Sequence, residues 1–204
     1  MRVTQIVELS KSRSKVYIEQ EFAFVLYKGE LRMYHIHEGE EIKEEDYQTI
    51  MQELLPKRAK LRAMNLLTKR DYTTAQLKQK LMDGFYPKEI IEQALDYVAS
   101  FHYTDDLRYA TDYIDYHESD KSRRRIVMDL TSKGISEEII ERAFEEWEEQ
   151  GGCRNEIEMI ERLLEKKHYD GEQADFKETQ RVFAWLMRKG FECETIKKVM
   201  HNFR

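Results

Sequence analysis

Apolar residues recur at two spacings along this chain, and the change comes near residue 43. In the first forty residues the pattern alternates. Val16 and Ile18 stand either side of Tyr17, and Phe22, Phe24 and Leu26 continue the alternation in a second run. Gly29-Glu30 reads as a turn before a further run with Leu31, Met33 and Tyr34. A small antiparallel sheet of about three or four strands is expected, too small to be stable unless it packs on something else. From Lys43 the period becomes helical: Tyr47, Ile50, Met51, Leu54 and Leu55 mark one face. Pro56 should break that helix and open a new one. Thr73 with Gln76 forms a capping box, and Pro87, Thr104 and Ser136 mark further helix starts. Gly134 and Gly190 sit where a left-handed residue ends a helix.

The helical part repeats itself. LMDGFYPKEIIEQAL from Leu81, LTSKGISEEIIERAF from Leu130 and LMRKGFECETIKKVM from Leu186 align without gaps, at offsets of 49 and 56 positions. Their apolar positions coincide: Leu81, Leu130 and Leu186; Ile91, Ile140 and Ile196; Ala94, Ala143 and Val199; Leu95, Phe144 and Met200. Four residues before each leucine stand Leu77, Ile126 and Val182. Each unit reads as a helix, a short turn and a second helix, with further helical sequence leading to the next. Three such units of three helices would give roughly nine or ten helices in an elongated, curved module.

Composition agrees with a helical reading. Charged residues are 36% of the 204 positions, while Gly and Pro together fill only ten. No long apolar run suggests a membrane span, and Met1 to Lys11 lacks the apolar stretch of a secretory signal, so the cytoplasm is expected. Cys153 and Cys193, forty positions apart, are read as free thiols in a reducing compartment. The net charge of −6 hides a pattern. Residues 56–135 carry 15 basic and 12 acidic side chains, whereas residues 1–55 carry 7 and 11, and residues 136–204 carry 12 and 17. Two clusters make the middle positive: Lys57, Arg58, Lys60, Arg62, Lys69 and Arg70; and Lys121, Arg123, Arg124, Arg125 and Lys133.

Together, EFAFVLYKGEL, RAMNLLTKRDYTTAQLKQKLMDGF, FHYTDDLRYATDYI and SRRRIVMDLTSKGISEEIIERAF resemble the RecX family over essentially the whole chain. The resemblance implies three tandem three-helix repeats and a regulator that binds RecA recombinase filaments on single-stranded DNA. It implies that strand exchange, ATP hydrolysis and co-protease activity are inhibited in the usual case. One position departs from the pattern. The Lys-Gly pair at Lys133-Gly134 and Lys189-Gly190 is Gly84-Phe85 in the first repeat, so a differently shaped first turn is expected.

Enzyme signatures are lacking. There is no GxxxxGK[ST], no GxGxxG after a strand and no GxSxG, so nucleotide hydrolysis is assigned to the partner and no cofactor is expected. His35-x-His37 would share one face of a strand, but without a third ligand it reads as a strand rim rather than a metal site. Asp105-Asp106 reads as a helix start. The run from Glu137 to Glu149 reads as a solvated acidic face, with orientation by charge against a partner as the alternative. Tyr109, Tyr113 and Tyr116, at helical spacing, read as core; Tyr97, Phe101 and Tyr103 lie in the same aromatic-rich junction.

The expectation is thus a mainly α protein with a small antiparallel β region. Its parts are strands at 1–42, a linking helix and first repeat at 43–110, and repeats at 111–153 and 154–204. The partner surface is placed on Lys69, Arg70, Lys121, Arg123, Arg124, Arg125 and Lys133, because arginine forks suit carboxylates and phosphates. Lys69 and Arg70 carry less weight, since a helix C-terminus favours cations anyway. A monomer is the default. The rival readings are a direct DNA-binding protein, some weak DNA contact being compatible with either, and a scaffold for an unrelated protein.

Overall fold

The computed structural model describes residues 1–152 and 155–203, which form two compact units divided after Asp105. In the first unit, β1 (Val3–Glu8), β2 (Arg13–Ile18) and β3 (Glu21–Tyr27) make an antiparallel meander in the order β1-β2-β3. Val16 lies opposite Phe24 and Ser14 opposite Leu26, so the alternation turns one row inward, and Val16, Ile18, Phe24 and Leu26 are buried.

The next run is helical, not a further strand: α1 spans Lys28–Met33. Glu30 accepts a hydrogen bond from the Tyr27 N–H at 2.7 Å and pairs with Arg58, which fixes the helix start. Leu31 and Tyr34, three apart, pack on the core while Met33 is exposed. His35 follows in a left-handed turn and His37 beyond it; both are exposed and neither is on a strand.

Pro56 does not break its helix. α2 (Glu44–Thr49) passes through a π-helical turn, Ile50–Leu54, directly into α3 (Leu55–Leu67). The Leu55 N–H reaches back five residues to the Ile50 carbonyl, and the wider turn accommodates a proline that has no N–H to give. Ala59 and Ala63, fully buried, let α3 lie close to α5 (Lys88–Ser100), with α4 (Thr74–Met82) between them in sequence. The sheet, α2, α3 and the first repeat share one hydrophobic core, which gives the small sheet the support it needs.

The second unit holds α6 (Asp106–Tyr116), α7 (Arg123–Ser132) and α8 (Glu137–Glu149), then α9 (Glu156–Lys166), α10 (Phe176–Arg188) and α11 (Cys193–Asn202). Each trio encloses its own core. All fifteen apolar positions aligned across the three repeats are buried.

The Thr73–Gln76 capping box, the Ser136 cap and the left-handed Gly134 and Gly190 stand where the sequence puts them. The first inter-helix turn, however, is not differently shaped. Phe85 and Tyr86 donate to the carbonyls of Met82 and Leu81, the same pattern that Gly134 and Ile135 make to Thr131 and Leu130. Phe85 takes the left-handed conformation that Gly134 takes, with φ +62°.

Tyr109 and Tyr113 pack on the second core, but Tyr116 is 81% exposed. It is the last residue of α6, beyond Ile114, the last buried residue of that helix. Cys193 is a free, half-buried thiol; Cys153 lies outside the described residues. Among the described residues, no helix is long and apolar enough to cross a membrane.

Candidate functional site: the basic start of α7

Ser122 caps α7 by accepting from the Arg125 N–H at 3.2 Å, and the first turn holds three arginines and no acid. Positive charge there opposes the helix dipole, so it needs carboxylates from elsewhere. α8 supplies two. Arg123 pairs with Glu141 at 2.7 Å and Glu148 at 3.2 Å, and its guanidinium lies 4.0 Å from the centre of the buried Phe144 ring. The acidic run on α8 is thus partly engaged and not wholly a solvated face.

Asp129, one helical turn along α7, takes two more cations. Lys121 and Arg125 each lie 3.0 Å from its carboxylate, and the Tyr113 hydroxyl donates to it at 3.0 Å. Lys121 also donates to the Tyr113 oxygen at 2.7 Å. Burial by itself would push Asp129 up, but hydrogen bonds from Lys121 and Tyr113 and the nearby Arg125 charge hold it below the usual carboxylate range. Burial would likewise lower Lys121, yet its bonds to Tyr113 and Asp129 raise it. Burial raises the Tyr113 hydroxyl, opposed by Lys121 and aided by Asp129. All three therefore keep their ordinary charge states at neutral pH.

The third repeat closes onto this cluster. The Ser122 N–H donates to the Lys189 carbonyl at 3.2 Å, and the Lys189 ammonium donates to the Asp120 carbonyl at 2.9 Å and its carboxylate at 3.3 Å. Burial would raise Asp120, but His117 and Lys189 lower it. Gly190 faces Ser122 and Arg125 so closely that an added Cβ would stand 2.5 Å from the Ser122 Oγ and 2.7 Å from the Arg125 Cβ.

Of the residues read from sequence, Lys121, Arg123 and Arg125 are thus brought together and held by acids. Lys133, at the far end of α7, lies over the Tyr109 and Tyr113 rings, 5.9 and 5.4 Å from their centres. Arg124 is exposed and in no salt bridge among the described residues. It borders a cleft of about 400 Å³ whose other walls include Val127, the exposed Met128, Glu156 and Glu192. An unengaged guanidinium beside apolar surface can grip a partner's carboxylate or phosphate while the cleft takes an apolar side chain. Lys69 and Arg70 follow α3 in the first unit; both are exposed, and Arg70 lies 4.3 Å from the centre of the Tyr72 ring. Asp120, Lys189, Glu141 and Glu148 were not singled out from sequence as parts of this site. Lys189 stands 69 positions from Asp120, and only its repeat with Lys133 marked it. Among the described residues, no three or more His, Cys, Asp or Glu side chains are grouped to hold a metal ion.

Comparison with known proteins gives a consistent match. Residues 59–97, 105–143 and 155–200 match the domains described as the first, second and third three-helix domains of RecX. The chain is 32% identical to the Regulatory protein RecX of Caldanaerobacter subterraneus subsp. tengcongensis over 98% of this chain and 99% of that one. It is 26% identical to the Regulatory protein RecX of Clostridioides difficile, covering 98% and 94%. A crystal structure of regulatory protein RecX superposes with a TM-score of 0.59 at 22% identity, over 98% of both chains. One of RecX from Lactobacillus salivarius gives 0.57 at 20%, over 72% of this chain and 96% of the other.

Proposed function

The chain belongs to the RecX family of regulatory proteins, and on that premise we propose that it binds RecA recombinase filaments in the cytoplasm and restrains their recombination, ATPase and co-protease activities. The observation that carries this reading is the match of all three repeats, in order, within a near full-length alignment to proteins named as regulators. Linked repeats suit a polymeric target, because the second and third contacts form at high effective concentration once the first is made. Restraint requires that the protein bind the non-productive filament state more tightly than the productive one.

The α7 surface is the proposed contact, centred on Arg124 and the Val127–Met128 cleft, with Lys69 and Arg70 as a second contact from the first unit. Direct DNA binding through the α7 cluster is the weaker reading. Lys121, Arg123 and Arg125 are already neutralised by Asp129, Glu141 and Glu148, which leaves few cations there for phosphates.

ATP hydrolysis by the cognate RecA on single-stranded DNA tests the proposal. A dose-dependent fall, beginning below equimolar addition, is the expected result. An unchanged rate at every dose, with salt-steep binding to naked DNA, would replace it with the DNA-binding reading.

A further inference from the structure

A second basic site lies in the first unit, assembled from residues far apart in sequence. Arg13 and Tyr27 are cross-strand partners on β2 and β3. With Arg62 of α3, Lys80 at the end of α4, and Asp83, Gly84 and Tyr86 of the turn after it, they line a pocket of about 430 Å³. Two tyrosines and three cations converge there against one carboxylate, and that carboxylate meets Lys80 only loosely, at 3.9 Å.

The neighbouring Arg58 shows what an engaged arginine looks like in this unit. It donates to the Val25 carbonyl at 3.1 Å, pairs with Glu30 and lies over the Tyr27 ring. Arg13 and Arg62 do none of this: neither is in a salt bridge or side-chain hydrogen bond among the described residues, although Arg13 is half-buried. Two guanidinia lining one cavity repel each other, so an anion between them would relieve both. The Tyr86 hydroxyl is pushed up by burial, against the opposing pull of Arg58, Arg62 and Arg13, and so remains a donor at neutral pH.

The pocket also accounts for the one departure of the first repeat from the other two. Gly84 stands where they carry Lys133 and Lys189. In those repeats the lysine lies over aromatic rings, Tyr109 and Tyr113 for one and Trp185 for the other. At Gly84 the Tyr86 ring occupies that space instead, and a Cβ would stand 2.9 Å from it. The missing side chain lets Tyr86 fold over the turn and leaves the pocket open. Phe85 keeps the turn's shape in spite of its left-handed backbone, its ring 6.4 Å from that of Phe22 and 4.1 Å from the Lys15 ammonium.

We propose that this pocket, formed by Arg13, Tyr27, Arg62, Lys80 and Tyr86, is a binding site for a phosphate group. Arginine forks bind pairs of phosphate oxygens bidentately, and the lysine ammonium and the tyrosine hydroxyls supply further donors for the remaining oxygens. The phosphate can be that of a free phosphate ester or of a nucleic-acid strand. The site shares no residue with the α7 surface and does not depend on its role.

Titration calorimetry of the full chain with pyrophosphate, and fluorescence anisotropy with a labelled oligo-dT strand at several salt concentrations, test this. Saturable pyrophosphate binding at one site, weakened tenfold or more by Arg62→Ala and again by Arg13→Ala, is the expected result. Arg62 is exposed, so its loss leaves the fold intact. Gly84→Leu, which crowds Tyr86 and fills the pocket without adding charge, should abolish binding, and Lys88→Ala, at an exposed cation outside the pocket, should leave it unchanged. If the source is a strand, Arg62→Ala lowers the salt slope of oligo-dT binding by about one. If it is a free phosphate ester, that slope does not change while pyrophosphate binding falls. No pyrophosphate binding by the unaltered chain, equal binding by Arg62→Ala, or equally tight competition by polyglutamate would each overturn the assignment.

Discussion

At the start of α7 four basic side chains stand within five positions, and three of them are held. Asp129 takes Lys121 and Arg125, Glu141 and Glu148 take Arg123, and Arg124 alone faces outward without a salt bridge among the described residues. In the pocket of the first unit, three basic side chains from positions 13, 62 and 80 stand with one carboxylate, Asp83, which accepts from Gln79 at 3.0 Å and meets Lys80 only at 3.9 Å. The dense cluster is mostly internal mortar, and the scattered one is mostly open. A helix start crowded with positive charge is stabilised when carboxylates are brought to it, so local density in sequence favours internal pairing. Cations that meet only through tertiary folding are under no such local demand, and those left unengaged are better candidates for an external anion.

The largest break in that comparison should come from the turn that closes on α7. Gly190 combines φ +92° with a contact tight enough that a Cβ would strike Ser122 and Arg125. Gly190→Ala is expected to cost about 3 kcal/mol, from left-handed backbone strain plus overpacking. Both tryptophans, Trp147 and Trp185, lie in the second unit, so denaturation followed by tryptophan fluorescence reads this unit alone. A loss under about 1 kcal/mol would mean that the turn yields easily and the closure is loose.

Asp129→Ala comes next, because it would make the α7 start resemble the open pocket. It leaves Lys121 and Arg125 without their shared carboxylate and should cost about 2 kcal/mol. The pH dependence fixes the sign. Asp129 and Asp120 are both lowered in the folded chain, so their contribution is present above the ordinary carboxylate pKa, about 4, and is lost as pH falls through the lower folded values. Stability of the second unit should therefore fall on acidification below about pH 4, and less steeply in Asp129→Ala. Equal slopes would remove Asp129 from the stabilising network.

How far sequence reveals this molecule depends on the range of the interaction. The repeat register, the caps at Thr73 and Ser136 and the left-handed Gly134 and Gly190 rest on neighbours within a few residues, and each stands as read. At α1, Leu31, Met33 and Tyr34 fit both the strand and the helix period, and the helix is chosen by Glu30 reaching Tyr27 and the distant Arg58. The uninterrupted helix at Pro56 depends on a π-helical turn that leaves no compositional trace. At the α7 surface the residue types were legible, but their engagement was not: Arg123 meets acids 18 and 25 positions away. The Arg13–Arg62 pocket was invisible, since no segment contains more than a part of it.

A smaller effect sharpens the view of the open pocket's turn. Phe85→Ala keeps the left-handed strain and loses the ring contacts to Phe22 and Lys15, for an expected cost of about 1.5 kcal/mol. Phe85→Gly loses the same contacts but relieves the backbone, and should be more stable than Phe85→Ala by about 1 kcal/mol. Thermal melting of the two variants measures the difference directly. Equal stability would mean that the turn does not hold its left-handed form at Phe85 in solution.

Arg124→Glu should change stability least, because the side chain is exposed and belongs to none of the salt bridges around it; the shift should stay within about 0.5 kcal/mol. Its effect on binding should be the opposite. If the α7 surface meets the filament, reversing Arg124 places negative charge where a partner's carboxylate or phosphate would sit and weakens restraint of RecA ATP hydrolysis about tenfold at equal dose. Arg123→Glu supplies the contrast. It also faces Glu141 and Glu148, so it should lose stability as well as binding, and the two effects cannot be separated there. Arg124, unlike Arg123, isolates contact from folding. An Arg124→Glu protein that folds normally and restrains the filament normally would remove the α7 surface from the interface and turn attention to Lys69 and Arg70.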